Sequence, residues 1–310
     1  MSSGEQCARD VRFCEVGNCN ISLTYETFGD PTDPAVLLIM GLNAQMIVWP
    51  TELCATIARS GPYFVIRFDN RDVGHSTKLD HLGVPSTLSI VLPITDKCCG
   101  KYKGYSLVDM AHDALALLDY LKISKAHIVG SSMGGMIAQY FCIHHPDRAI
   151  TMTCVMSTSE DGTRGQSLST TKNILLMKPK SDSMEDLIDF QIEFGKKILF
   201  VGTRGHQPGE YETLTRSIFE RTTYRNGRQR HTYAVRHYAA REEALGRLRV
   251  PTLVVHGKND QMITVSHGIR LARLIPGASL LLLDNMGHYV SRGVQPKIVE
   301  AMNAHFKKFS

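Results

Sequence analysis

Residues 127–141 read HIVGSSMGGMIAQYF and contain the feature that decides the fold. The run at 127–129, with Ile128 and Val129, is typical of a short buried strand, and the apolar run at 136–141 is typical of a helix. Between them lies a G-x-S-x-G pattern centred on Ser132, which forms a sharp strand-to-helix turn when it joins these two elements. Its glycines are needed because a Cβ at either position would clash across the turn. The sequence therefore predicts that Ser132 projects over the end of a sheet, at the amino terminus of the next helix.

Similar short apolar runs, bounded by Gly, Pro, Asn or Asp, recur along the chain and predict strands that are buried on both faces. These runs are 35–40, 63–68, 127–129, 150–156, 252–255 and 280–283. A broad apolar face at 107–121 predicts a helix between two of them. Strands that alternate with helices favour the α/β class, with a mostly parallel central sheet flanked by helices. Residues 11–28 precede this pattern and read as a hairpin with a turn at Gly17-Asn18.

Residues 157–246 break the alternation. They begin rich in Ser, Thr, Arg and Lys, continue with amphipathic stretches, and the strand signals resume only at Val250. An interruption of one sheet that starts and ends near the same edge is most simply a helical insertion. We therefore predict a core from 1–156 plus 247–310 and a helical cap, or lid, from 157–246. The long connection at 78–105 is a second candidate for a functional loop.

The composition excludes several classes of protein. The 310 residues are 43% hydrophobic and 21% charged, which is typical of a globular chain and not of a disordered or fibrous one. Lys and Arg exceed Asp and Glu by 35 to 30 without a basic block, so nothing favours a nucleic-acid partner. The chain has eight cysteines but no C-x-x-C pair, and its polar start lacks the apolar core of a secretory signal. Both features favour a reduced, cytoplasmic setting. No run approaches the roughly 18 apolar residues of a spanning helix, so we expect no stable membrane insertion.

A serine at such a turn is a weak nucleophile and needs a base, which in turn needs an orienting carboxylate. Among 13 histidines, His288 follows the last predicted strand closely enough to reach the carboxyl edge of the sheet. Asp260 stands in the corresponding place after the strand before it, which gives the chain order Ser, Asp, His. Asp284 and Asp161 remain alternatives for the acid. His256 is interpreted as a packed or hydrogen-bonding residue.

These segments resemble the α/β-hydrolase superfamily over nearly the whole chain. GSSMGG at 130–135 matches its nucleophile elbow, HGKND at 256–260 its acid loop and GH at 287–288 its histidine loop. DNRDVGHS at 69–76 is similar to the D-x-R-G-x-G-x-S loop of the family, with Asp72 where a glycine is usual. That departure leaves the backbone path of the loop open but touches no catalytic role.

The resemblance implies a catalytic triad of Ser132, Asp260 and His288. It also implies an oxyanion hole formed by the backbone N–H groups of Leu42 and Met133. It implies no metal and no organic cofactor. Substrate contacts are expected from three further residues of the loop at 40–45 and the elbow: Gly41, Asn43 and Gly134.

Within the superfamily, GLNAQ at 41–45, Trp49-Pro50 and the cap are similar to small-molecule esterases of the aclacinomycin methylesterase type. This implies hydrolysis of a small-molecule carboxylic ester through an acyl-enzyme on Ser132. The elbow also resembles that of C–C bond hydrolases. A proline iminopeptidase-like peptidase and a catalytically silent binding protein of the same fold are further alternatives. The cap carries a basic run that we interpret mainly as solvated surface, with an acidic-substrate site as the alternative: Arg221, Arg225, Arg228 and Arg230.

Overall fold

The computed structural model describes residues 12–16, 21–86, 90, 102–160, 170, 172, 176–203, 205, 207–237 and 241–309. Its centre is an eight-stranded sheet in the order β1-β2-β4-β3-β5-β6-β7-β8. The strands are β1 (Arg12–Val16), β2 (Ile21–Phe28), β3 (Ala35–Ile39), β4 (Phe64–Phe68), β5 (Ala126–Ser131), β6 (Ala149–Val155), β7 (Thr252–Gly257) and β8 (Ser279–Leu283). Strands β3 to β8 are parallel, whereas β2 is antiparallel to both β1 and β4. The mostly parallel sheet is confirmed, and the predicted turn at Gly17-Asn18 lies outside the described residues.

Helices cover both faces of the sheet. They are α1 (Thr51–Ser60), α2 (Leu107–Tyr120), α3 (Met133–His144), α4 (Met184–Phe194), α5 (Glu210–Arg221), α6 (Gly227–Arg236), α7 (Glu242–Gly246), α8 (Val265–Leu274) and α9 (Gln295–Phe309). Alternate residues of β3 point into two hydrophobic layers on opposite faces of the sheet. Leu37 belongs to the layer formed with α2, α3 and α8, and Val36 belongs to the layer formed with α1 and α9. The chain therefore has the predicted α/β architecture.

One strand, β8, has an environment that differs from the prediction of burial on both faces. Leu280 is 39% exposed, and within this strand only Leu283 is buried. The reason is topological, because β8 pairs with β7 alone at the edge of the sheet.

Residues 157–246 lie between β6 and β7, contain no strand where the structure describes them, and are called the insertion below. The insertion contains α4 to α7, and α4 continues into one π-helical turn at Gly195–Leu199. Residues 87–89 and 91–101 of the predicted long loop lie outside the described part of the chain. Within the described ranges, no helix has the length and apolar character needed to cross a bilayer.

Candidate active site

Ser132 occupies the turn between β5 and α3 in a strained backbone conformation. Its φ is 55° and its ψ is −120°, a combination that costs a non-glycine residue about 1–3 kcal/mol. The strain is held by two hydrogen bonds: the Ser132 N–H donates to Val155 O (2.9 Å), and Ser157 Oγ donates to Ser132 O (2.8 Å). The turn thus fixes the direction of the Ser132 side chain.

The glycines that flank Ser132 are required by close packing, as the sequence predicted. A Cβ on Gly130 would lie 2.1 Å from Gly134 O, and a Cβ on Gly134 would lie 2.1 Å from Ile39 O. Gly134 is therefore buried in the first turn of α3 against the end of β3. The expected contact of Gly134 with substrate stays a prediction.

The side chains of Ser132, His288 and Asp260 form one chain of hydrogen bonds. His288 Nε2 lies 3.0 Å from Ser132 Oγ, and His288 Nδ1 lies 2.7 Å from Asp260 Oδ2. A carboxylate can only accept here, so Nδ1 carries the proton and Nε2 presents its lone pair to the serine. This arrangement allows His288 to remove the proton of the Ser132 hydroxyl.

Asp260 is buried and held in place by its own loop. Its Oδ1 accepts hydrogen bonds from the N–H groups of Met262 and Ile263, both at 2.9 Å. Burial raises the pKa of the carboxyl, but the charge of His288 and hydrogen bonds from His256 and His288 outweigh it and lower the pKa to about 2. Asp260 is therefore ionised at neutral pH.

Of the other acid and base candidates, the structure describes Asp284 and His256. Asp284 is exposed and pairs with Lys258 at 2.5 Å, and Asp161 lies outside the described residues. His256 is buried beside Asp260, with its Nε2 2.8 Å from Ile263 O and 3.5 Å from Asp260 Oδ2. It packs and forms hydrogen bonds, in agreement with the sequence-based interpretation.

The loop after β3 approaches Ser132 directly. A Cβ on Gly41 would lie 3.2 Å from Ser132 Cβ and 3.7 Å from its Oγ, so the absence of a side chain leaves room beside the hydroxyl. Met133 is the first residue of α3, where the backbone N–H has no acceptor within the helix. Asn43 has a φ of 54°, and its backbone N–H donates to Nδ1 of His231 on α6 (3.1 Å). No sequence signal pointed to His231, because it lies 188 residues from its partner.

The insertion also holds the loop that carries His288. The His288 N–H donates to Leu199 O at 2.9 Å, and the Gly287 N–H donates to Thr203 Oγ1 at 2.9 Å. The insertion therefore contacts the site on two sides, through the π-helical turn beside His288 and through α6 beside Asn43.

Asp72 adopts the backbone conformation that a glycine would provide at this position. Its φ is 65°, and its carboxylate binds Arg230 of α6 through two hydrogen bonds of 2.8 Å each. Both side chains are fully buried. Burial raises the pKa of Asp72, but the hydrogen bonds from Arg230 and from the Leu79 N–H outweigh it and lower the pKa.

The basic run of the insertion is divided between the interior and the surface. Arg230 is buried against Asp72, and Arg221 of α5 donates to Asp69 Oδ2 at 2.6 Å, while Arg225 and Arg228 are exposed. The interpretation of the whole run as solvated surface was wrong for its two end residues. They tie the insertion to the loop at 69–76.

The alpha/beta hydrolase fold profile matches residues 34–291. This match spans most of the chain, so the protein belongs to the alpha/beta hydrolase fold family, and it is an esterase-like member. Within the described residues, no cluster of three or more His, Cys, Asp or Glu side chains could hold a metal ion.

Two characterised relatives align over almost their whole length. Rhodomycin D methylesterase of Streptomyces peucetius is 27% identical over 317 residues, covering 94% of this chain and 96% of the relative. The second, 3-oxoadipate enol-lactonase 2 of Acinetobacter baylyi, is 24% identical and covers 94% and 95%, respectively. Both names describe hydrolases of ester bonds.

Solved structures share the fold. An esterase from Rhodococcus sp. ECU1013 superposes with a TM-score of 0.73 at 19% identity, over 97% of this chain and 99% of the other. A meta-cleavage product hydrolase from Pseudomonas fluorescens IP01 superposes with a TM-score of 0.70 at 20% identity, over 96% and 98%.

Proposed function

We propose that this protein is a serine hydrolase that cleaves a small-molecule carboxylic ester through an acyl-enzyme on Ser132. The observation that carries the proposal is the hydrogen-bonded chain from Ser132 Oγ through His288 to the buried carboxylate of Asp260. The names of the methylesterase and enol-lactonase relatives support an ester as the bond that is cleaved.

The reaction proceeds in two halves. Ser132 Oγ attacks the carbonyl carbon while His288 Nε2 takes its proton, and the N–H groups of Leu42 and Met133 stabilise the negative oxygen that forms. The intermediate collapses, the acyl group stays on Ser132, and His288 gives the proton to the departing alcohol. Water then gives a proton to His288 and attacks the acyl carbon. As this second intermediate collapses, the bond between Ser132 Oγ and the acyl carbon breaks, the carboxylic acid leaves, and His288 returns the proton to Oγ, which restores the serine hydroxyl. Asp260 keeps Nδ1 protonated throughout and stabilises the imidazolium.

The insertion, 157–246, is the proposed lid of this site. Its contacts to the Asn43 loop and to the His288 loop support a role in covering Ser132 and excluding water. Core residues 1–156 and 247–310 supply the proposed catalytic groups. Among the residues that the structure describes, three buried free thiols support the proposed reducing, cytoplasmic setting: Cys54, Cys142 and Cys154.

The first test replaces the nucleophile. Ser132→Ala should lower kcat for p-nitrophenyl esters by about 10⁴-fold or more, because it removes the hydroxyl that lies beside His288 Nε2. The matched control is Ser131→Ala: Ser131 is buried, and its Oγ has no hydrogen-bond partner among the described residues, so its removal should leave kcat near wild type. Turnover by Ser132→Ala at the wild-type rate would refute the assignment.

The second test identifies which kind of bond the protein cleaves. Wild-type protein is assayed with p-nitrophenyl esters, vinylogous diketo acids and proline arylamides, which report ester, C–C and peptide cleavage. The ester should be preferred. A fluorophosphonate should label Ser132 itself, and a folded protein that is not labelled would point to a catalytically silent binding protein.

A further inference from the structure

His231 lies on α6 of the insertion and is fully buried between two backbone groups of the core. Its Nδ1 is 3.1 Å from the nitrogen of Asn43, and its Nε2 is 2.9 Å from the carbonyl oxygen of Arg71. A backbone N–H can only donate and a backbone carbonyl can only accept. The two partners therefore define the ring as neutral, with the proton on Nε2 and the lone pair on Nδ1 directed at Asn43.

The partner of Nδ1 is the residue that follows Leu42. The hydrogen bond fixes the peptide plane between Leu42 and Asn43, and thereby limits rotation at the residue whose own N–H is proposed for the oxyanion hole. Asn43 has a φ of 54°, a conformation that non-glycine residues adopt only when their surroundings hold them there. Gly41, next to Ser132, begins the same turn through the bond from Ala44 N to Gly41 O (3.2 Å).

The position of His231 is itself rigid. The preceding residue, Arg230, forms the buried two-bond contact with Asp72, and a Cβ on Gly227 of the same helix would lie 2.1 Å from Asp72 O. The ring also packs nearly perpendicular to that of Tyr105, with the ring centres 6.0 Å apart. The loop beside Ser132 is thus held by a side chain with little freedom of its own.

We propose that His231 is a positioning residue for the oxyanion hole, through which the docked insertion holds the N–H of Leu42 beside Ser132. The inference rests on the proposed function, since it assigns a role in that same reaction. A protonated ring would place an N–H against the N–H of Asn43, so the role requires the neutral form.

The surroundings keep His231 neutral. Burial lowers its pKa, and the charges of Arg71 and Arg230 act in the same direction, while the Arg71 carbonyl and the Asp72 carboxylate oppose them; the pKa falls to about 4. At neutral pH the acceptor is available to Asn43.

Two variants of His231 each keep one hydrogen bond of the ring and remove the other. His231→Asn places its amide oxygen near the position of Nδ1 and keeps an acceptor for Asn43, but cannot reach Arg71 O. His231→Gln places its amide nitrogen near Nε2 and keeps the donor to Arg71 O, but leaves the N–H of Asn43 unpaired. Each variant removes one bond from the same buried site, so a purely structural role predicts similar loss of activity and similar melting temperatures.

Both variants are compared with wild type in ester kinetics, in the rate of fluorophosphonate labelling and in thermal melting. We expect His231→Gln to lower kcat and the labelling rate about 10- to 100-fold with little change in KM, because the lost contact acts in the transition state. His231→Asn should stay within a factor of about three of wild type. Equal losses in both variants, or a change in KM alone, would overturn the proposal.

The same experiment separates the two proposals. If wild type is labelled but cleaves no ester, the ester function fails, and the ratio of the labelling rates of the two variants still decides the role of His231. If wild type is neither labelled nor active, both proposals are refuted.

Discussion

At Asp260, an oxygen-for-nitrogen exchange tests the tautomer of His288. In Asp260→Asn the amide oxygen should face Met262 and Ile263, whose two N–H groups need an acceptor, so the NH₂ group faces His288 Nδ1. That donor favours the tautomer with the proton on Nε2, which cannot accept the proton of Ser132. We expect kcat for p-nitrophenyl esters to fall about 10⁴-fold while the protein remains folded.

The matched control is Asp284→Asn, which changes the exposed carboxylate that pairs with Lys258. It should leave kcat unchanged. If Asp284→Asn, and not Asp260→Asn, abolished turnover, Asp260 would not be the acid.

Residues of the site differ in how far the sequence could predict them. Ser132, Asp260 and His288 each follow a strand in a short local pattern, and the structure brings the three side chains into hydrogen-bond contact. His231 could not be found in this way, because a histidine in a helix of the insertion has no local feature that marks its distant backbone partners. Its role depends on how the insertion packs on the core.

At the level of elements, α6 is joined to the loop at 69–83 by a fully buried ion pair, Asp72–Arg230. Removing Arg230 leaves the buried carboxylate of Asp72 unpaired, and removing Asp72 leaves Arg230 with only the more distant and largely exposed Asp80, whose Oδ1 is 3.4 Å from Arg230 Nη2. Breaking one partner of a buried ion pair typically costs about 3–5 kcal/mol. We therefore expect Asp72→Gly and Arg230→Met each to lower the free energy of unfolding by about this amount. The double variant should recover most of the lost free energy of unfolding, because it buries no unpaired charge. Glycine at position 72 also adopts the positive φ of this residue without strain.

Urea unfolding of the wild type, the two single variants and the double variant measures the coupling. Glu243→Gln is the control, because Glu243 and Arg247 form a pair whose side chains are 80% and 77% exposed. It should leave the unfolding midpoint unchanged. Additive losses in the double variant would mean that Asp72 and Arg230 do not stabilise each other.

The elements of the core could be predicted from the sequence more fully than their environment. Apolar runs between turn residues predict the strands of a parallel sheet, but they do not indicate which strand lies at its edge. For this reason β8 was expected to be buried on both faces. In the insertion, the spacing of the arginines was visible, but their burial was not. Charged residues are assigned to the surface by default, and Arg230 is buried only because its partner stands in a loop 158 residues away.

At the scale of the whole molecule, the sheet centre and the C-terminal helix meet at His127. The residue lies on β5 and is fully buried, with its Nδ1 2.9 Å from Thr151 Oγ1 and its ring stacked on Phe306 of α9 at 4.2 Å. Burial, together with the charge of His305, lowers the pKa of His127 to about 4. A histidine in the unfolded chain has a pKa of about 6.5.

This difference couples folding to pH through His127. Above about pH 6.5 the ring is neutral in both the folded and the unfolded state. Between about pH 6.5 and 4 the unfolded chain takes up a proton that the folded protein does not. The free energy of unfolding therefore falls as the pH falls, by up to about 1.4 kcal/mol per pH unit. His127→Leu should make the decline in the free energy of urea unfolding between pH 6 and 4.5 shallower by about that slope, even if it lowers stability at pH 7 by removing the bond to Thr151. His81→Leu, at a solvent-exposed histidine, is the control and should keep the wild-type slope. If the free energy of unfolding of His127→Leu fell with pH as steeply as that of the wild type, protonation of groups other than His127 would account for the acid sensitivity.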